Sequence, residues 1–122
     1  NDHENLCIAI FQHSTQLLQE ITDRVVKVQD AMVLEFAEMS TKDSFTKENK
    51  AMLMTLVSKY EGESTQLKIV TSELTVFATG CNESGNEDEM LSSFEDIIIS
   101  LYKEITSTVK STKLVIAMDT TS

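Results

Sequence analysis

The sequence lacks proline and has only three glycines in 122 residues. Average usage near 5% would place roughly six prolines in a chain of this length, and both residues commonly interrupt regular secondary structure. Their scarcity excludes a loop-rich fold and favours long helices with short connections. The length predicts one helical domain over residues 1–122, large enough to bury an ordinary hydrophobic core.

Basic residues and long apolar runs are also scarce. The formal net charge is −10, and Arg24 is the single arginine. Nucleic-acid binding needs clustered lysine and arginine to neutralise phosphates, so the charge argues against a nucleic-acid partner. A membrane-spanning helix needs about 18 or more consecutive apolar residues, and the sequence has no such run. We therefore expect neither nucleic acid nor membrane as a partner.

Cysteine is limited to Cys7 and Cys81. A catalytic reading would pair a Cys7 thiol with His13 as its base, but residues six apart on a helix lie on substantially different faces. A structural disulfide, common in secreted proteins, is the better interpretation. The chain starts at Asn1, as in a trimmed chain or a mature protein that has lost a signal peptide. Asn82 begins a glycosylation sequon. Together these features favour an extracellular, secreted protein.

Apolar residues at alternating spacings of three and four predict a first helix over residues 4–39. The members of this stripe are Cys7, Phe11, Ser14, Leu18, Ile21, Val25, Val28, Met32, Glu35 or Phe36, and Met39. A second row widens the stripe enough to contact two neighbours, and it contains Ile10, Leu17, Val26 and Val33. Residues 40–44 are cap-forming types and predict a turn.

A second stripe follows this turn and predicts a second helix. Its members are Phe45, Asn49, Met52, Leu56, Tyr60, Glu63, Leu67, Val70, Leu74 and Phe77. Gly62 lies within the stripe, and glycine in a helix costs about 1 kcal/mol relative to alanine. We therefore expect a kink or short break at residues 62–64. Gly80 is a plausible end of the helix.

The third helix is predicted to begin after Asn86, which can cap it, with Glu89 at the reciprocal capping-box position. Its stripe is Met90, Phe94, Ile97, Leu101, Ile105, Thr108, Thr112 and Val115, with Leu91, Ile98 and Tyr102 beside it. Residues 97–116 are rich in isoleucine, valine and threonine, which favour strands. The spacing of three and four nevertheless favours a helix.

These elements predict an all-α fold, an antiparallel bundle of three long helices. Short turns make successive helices antiparallel, so Cys81, just past the second helix, should lie beside Cys7, near the start of the first. The topology therefore predicts a Cys7–Cys81 disulfide. Closing a loop of this size could contribute about 4.5 kcal/mol, as an upper figure, in the chain-entropy model.

Candidates for catalysis or metal binding are weak. His3 and His13 are the only histidines, and they share no recognised ligand spacing with other residues. The carboxylate pairs are Glu35 with Glu38, Asp88 with Glu89, and Glu95 with Asp96. An acid–base pair needs a cleft that shifts one pKa, which a slender bundle rarely provides. We expect no catalytic residue, no metal site and no cofactor.

Two surfaces are candidates for partner binding. Leu53, Met54 and Val57 fall outside the main stripe, and an apolar patch there would be a contact site. In the predicted topology acidic residues gather at the disulfide end, whereas several lysines gather at the other end. An acidic end suits a basic partner. The partner-binding candidates there are Glu83, Glu87, Asp88 and Glu89.

The start Asp2-His3-Glu4-Asn5-Leu6-Cys7, a length near 120, long helices and one distant second cysteine resemble the family of anopheline mosquito salivary proteins that includes anophensin and albicin. The resemblance spans the whole chain and carries no signature motif, so it implies no residue roles. It implies a secreted, non-enzymatic inhibitor of host defence during blood feeding. Albicin-like members bind and block the alternative-pathway complement convertase, and anophensin is associated with the contact (kallikrein–kinin) system.

Three hypotheses of function are consistent with the predicted fold and with this resemblance. The leading hypothesis is inhibition of the alternative-pathway convertase, which makes a host plasma protein the partner. Inhibition of contact activation is an alternative, although an acidic protein would have to act by capturing basic domains of the contact factors. A carrier of small apolar ligands between helices is the third, and an aromatic content of 6% without tryptophan gives it little support.

Overall fold

The computed structural model describes residues 1–40, 45–81 and 88–119, and these residues form three α-helices without a strand. They are α1 (Asp2–Ser40), α2 (Lys47–Gly80) and α3 (Asp88–Met118). The all-α prediction is confirmed, and α1 exceeds its predicted range by two residues at its start and one at its end. The predicted turn lies outside the described residues from position 41 to position 44, and so does the predicted cap Asn86.

The start of α1 is capped, and its predicted stripe faces the core. The Asn1 Oδ1 atom accepts a hydrogen bond of 2.8 Å from the backbone N–H of Glu4, which satisfies one of the free donors of the first turn. The buried members of the stripe are Ser14, Leu18, Ile21, Val25, Val28, Met32 and Met39. In the second row Ile10 and Leu17 pack against the core, but Val26 and Val33 are exposed, contrary to the prediction.

Helix α2 begins with a reciprocal capping box between Thr46 and Asn49 and passes through Gly62 without interruption. The expected break at residues 62–64 is therefore wrong. A glycine in a helix costs about 1 kcal/mol, whereas fully burying one large apolar side chain contributes roughly 1.5–3 kcal/mol. Tyr60 and Leu67, on either side of this point, are both buried, so packing outweighs the local preference.

Helix α3 is continuous despite its strand-favouring composition. Its buried residues are Leu91, Ile98, Ile105 and Thr112, spaced seven apart. The predicted stripe had placed Met90, Ile97 and Val115 on the core side, and all three are exposed. Other members of the stripe are confirmed, since Ile105 and Thr112 are buried and Phe94 and Leu101 pack against the core. Toward the start of α3, Leu91 and Ile98 from the row beside the stripe are buried in place of Met90 and Ile97.

Side-chain pairs define the order of the helices. Between α1 and α2, His13 pairs with Glu73 and Arg24 with Glu63, so partners run in opposite chain directions, as in antiparallel helices. Between α1 and α3, the rings of Phe11 and Phe94 lie 5.8 Å apart. The backbone of α2 approaches both α1 and α3 closely along its length. Consequently α2 is the central helix, which packs against both α1 and α3.

The central place of α2 corrects one further prediction. Leu53 and Val57 were candidates for an exposed apolar patch, yet each has 0% of its surface exposed. A helix packed against two neighbours needs a wider apolar face than a single stripe supplies, and these residues provide it. Met54 alone of the three is exposed. Within the described residues, none of the helices has the length and apolarity needed to cross a membrane.

Candidate functional site

The predicted disulfide is present. Cys7 in the second turn of α1 is bonded to Cys81, the residue that follows α2, with a Cα–Cα distance of 5.7 Å. The Cys81 backbone N–H donates a hydrogen bond of 2.8 Å to the Phe77 carbonyl, and both cysteines pack against the core. The disulfide therefore joins the beginning of α1 to the end of α2.

His3 adds a second link at the same place. Its Nε2 lies 2.8 Å from the Gly80 carbonyl oxygen, to which it can donate, and 3.8 Å from the Cys7 sulfur. Potential ligand atoms of His3, Cys7 and Cys81 lie within 4.8 Å of one another. Zinc, however, binds cysteine as thiolate, and both sulfurs are engaged in the disulfide. This cluster acts as a brace between α1 and α2.

Four exposed carboxylates lie on the first turns of two helices at this end. Asp2 and Glu4 belong to the first turn of α1, and Asp88 and Glu89 to that of α3. The contact between Phe11 and Phe94 packs the beginnings of α1 and α3 together. We call Asp2, Glu4, Asp88 and Glu89 the acidic end. Of the predicted site residues, Asp88 and Glu89 belong to it. Asn82, Glu83 and Glu87 lie outside the described residues.

A polar cluster between α1 and α2 was not predicted. The buried Ser14 hydroxyl donates to Glu73 Oε2 at 2.8 Å, and His13 Nδ1 lies 2.8 Å from the same carboxylate. Ser14 occupies a position of the apolar stripe, and a polar residue there was the one sequence signal for a buried hydrogen bond. The cluster fixes α1 against α2 about two helical turns from the disulfide.

A second polar cluster joins all three helices. Gln29 of α1 donates from Nε2 to the Tyr60 hydroxyl of α2 at 2.6 Å and to Glu104 of α3 at 2.5 Å. Tyr60 has no exposed surface. Burial raises the pKa of the Tyr60 hydroxyl, and hydrogen bonds with Gln29 and Thr108 oppose this rise in part.

An ion pair joins α1 and α2 near the middle of their interface. Arg24 donates from Nε to Glu63 Oε1 at 2.8 Å and from its terminal nitrogen to Glu63 Oε2 at 3.1 Å, a bidentate geometry. These hydrogen bonds raise the pKa of Arg24, while its partial burial opposes the rise. Together with the two clusters, the pair makes the α1–α2 interface polar at several points and gives it one specific register.

The opposite side of α2 carries an open groove against α3. We call it the α2–α3 groove. It is lined mainly by Leu67, Lys68, Thr71, Ile98, Tyr102 and Lys103 in one part, and by Leu74, Thr75, Thr79, Glu95 and Ile99 in the adjoining part. Two of the lining residues, Lys68 and Lys103, are basic, and they lie among mostly apolar side chains. Nothing in the sequence analysis predicted this groove, because threonines are polar residues and those of α2 lie outside its predicted apolar stripe.

Comparison with protein-family models, with curated proteins and with solved structures found no match. The acidic end is the feature that combines charge, exposure and a rigid attachment, and it is the candidate site for a macromolecular partner. The α2–α3 groove is concave and apolar, and it suits a different kind of ligand.

Proposed function

We propose that this protein is a secreted salivary inhibitor that binds the alternative-pathway complement convertase of the host and blocks it. The observation that carries the proposal is the acidic end, whose four carboxylates are exposed on the first turns of α1 and α3. The whole-chain resemblance to the anophensin and albicin family supplies the identity of the partner. Secretion is supported by the disulfide, since such bonds persist in oxidising compartments.

Charge and rigidity make the acidic end suited to a basic surface. Exposed carboxylates steer association with a positively charged partner and contribute to its selection. Binding also costs free energy when flexible groups become ordered. At this end the disulfide and the hydrogen bond from His3 to Gly80 hold α1 to the end of α2 before any partner arrives. Less ordering is then required on binding.

Lysis of rabbit erythrocytes in calcium-free human serum tests the inhibition. We expect the protein to reduce lysis at about 1 μM, a concentration that matches a moderately tight complex. Full lysis at this and at tenfold higher concentrations would refute convertase inhibition. Kallikrein generation measured in parallel in plasma distinguishes the contact-system alternative, which predicts inhibition in that assay and normal lysis in the first.

A further inference from the structure

The α2–α3 groove is long and continuous. Its two parts have volumes of about 510 and 390 Å³ and share Thr71, Ile98 and Ile99. Along α2 the groove extends from Lys68 to Thr79, which corresponds to about 16 Å at a rise of 1.5 Å per residue. This shape matches an elongated ligand better than a compact one.

The groove is more apolar than its sequence indicates. The hydroxyls of Thr71, Thr75 and Thr79 donate to the carbonyls of Leu67, Thr71 and Thr75, four residues earlier in α2, at 2.9, 2.9 and 3.0 Å. Because these hydroxyls are already paired with the helix backbone, the γ-methyl groups are the parts of these side chains left for contact. On α3 the floor is completed by isoleucines, one of which, Ile99, has 51% of its surface exposed.

One end of the groove is positively charged. Lys68 of α2 and Lys103 of α3 both line its first part, and neither forms a salt bridge with another described residue. Glu95 lines the other part. In a protein of net charge −10, two lysines that form no salt bridge with a described carboxylate line one part of the groove, and Glu95 lines the other. The charge of the groove therefore differs between its two ends.

We propose that the α2–α3 groove binds a single-chain anionic amphiphile, an alkyl carboxylate, with its carboxylate between Lys68 and Lys103 and its chain along Thr71 and Ile99 toward Thr79. Carbon–carbon bonds of about 1.5 Å in a tetrahedral zigzag advance an extended chain by about 1.3 Å per bond, so a chain of roughly 12 carbons fits the groove. Burial of apolar surface drives the binding, and the lysines select the anionic head. This site is separate from the acidic end and does not depend on the proposed inhibition.

Isothermal titration with sodium dodecanoate, below its micelle-forming concentration, tests the site. We expect saturable binding of one molecule per chain with a dissociation constant below about 100 μM. Dodecanoyl glycerol has the same chain without the charge, and hexanoate has the charge with a short chain. Each of these two compounds should have a dissociation constant at least about tenfold higher than that of dodecanoate. Binding of several molecules per chain, or equal affinity for all three compounds, would overturn the proposal.

Variants locate the ligand. The double variant Lys68→Gln/Lys103→Gln should weaken dodecanoate binding about tenfold, and Ile99→Asn should weaken it without changing the charge. The matched control is Lys27→Gln/Lys59→Gln, which removes two exposed lysines outside the groove. An equal loss in this control would attribute binding to overall charge and contradict the proposal. The proposal would also be contradicted if the groove variants still bound dodecanoate but no longer inhibited lysis. The groove would then be a binding surface for a protein partner.

Discussion

At the scale of single residues, the protein depends on a few buried polar groups that hold three helices in one arrangement. Tyr60 is the clearest example, because its ring is fully buried while its hydroxyl is hydrogen-bonded to Gln29. Gln29 in turn contacts Glu104. A buried polar group that loses its partner costs about 1–3 kcal/mol, so these residues disfavour other rotations of the helices.

Alkaline pH should expose the contribution of Tyr60. Its raised pKa means that the folded protein holds the phenolic proton more tightly than the unfolded chain does. The corresponding stability is complete below the ordinary tyrosine pKa of about 10 and is lost as the pH rises through the higher folded value. Melting temperatures recorded from pH 8 upward should fall above about pH 10, and less steeply in Tyr60→Phe. A flattening of the same size in the surface variant Tyr102→Phe would contradict this assignment.

The Arg24–Glu63 pair predicts that lysine replaces Arg24 only with some loss of stability. Arg24→Lys retains the charge but loses the bidentate geometry, and we expect a loss of about 0.5–1 kcal/mol in the free energy of unfolding. Because Arg24 is 43% exposed, solvent screening keeps the effect in this range. Urea denaturation measures it, with Lys27→Arg as the control on the same helix. A loss no larger than in that control would show that the geometry contributes nothing.

At the scale of helices, the sequence patterns predicted the elements better than their rotations. The main stripe of α1 was right because mostly polar residues separate its members between Phe11 and Val25, so one face stands out there. In α3 three consecutive isoleucines, residues 97–99, make several faces equally apolar. Only Ile98 is buried there, since tertiary packing and not periodicity chose among them. The groove was missed for a separate reason: its threonines present methyl groups only once their hydroxyls are hydrogen-bonded to the backbone of α2.

Helix α2 should become more stable when its interior glycine is replaced. Gly62 is exposed, and apart from its chain neighbours and the adjacent helix backbone no atom lies within 4 Å of the position that a β-carbon would occupy. Gly62→Ala is therefore expected to raise the free energy of unfolding by about 0.5–1 kcal/mol, as measured by urea denaturation. Gly80→Ala, at the last residue of the helix, is the control and should gain less. Destabilisation by Gly62→Ala would indicate that a break near this residue is important for the fold.

At the scale of the whole molecule, the Cys7–Cys81 disulfide holds the beginning of α1 to the end of α2. The disulfide was predictable because long helices with short turns leave few places for Cys81 to lie. The acidic end was predictable too, because the same topology places the carboxylates at the starts of α1 and α3 at the disulfide end. The His3 brace beside it was not, since it depends on how α1 packs against α2. Cross-helix partners such as Gln29 and Glu104 could not be predicted, because sequence does not give the rotation of one helix against another.

Removing the disulfide should destabilise the protein without changing its helical fold. Cys7→Ser/Cys81→Ser is expected to lose about 2–4.5 kcal/mol, the upper value being the chain-entropy figure for this loop. Far-ultraviolet circular dichroism should remain helical in the absence of urea, since the core cluster includes residues of all three helices. Urea midpoints of the variant and the oxidised protein give the difference. A loss below about 1 kcal/mol would mean that the brace contributes little.

The central claim is that the protein binds its target through the acidic end, and one binding measurement tests it most directly. The variant Asp2→Asn/Glu4→Gln/Asp88→Asn/Glu89→Gln is compared with Glu20→Gln/Asp23→Asn/Asp30→Asn/Glu48→Gln, which neutralises the same number of exposed carboxylates elsewhere. Surface plasmon resonance on immobilised alternative-pathway convertase should show binding by the protein and by the second variant. The first variant should bind at least about tenfold more weakly. Equal binding by both variants, or none by the unmodified protein, would contradict the account.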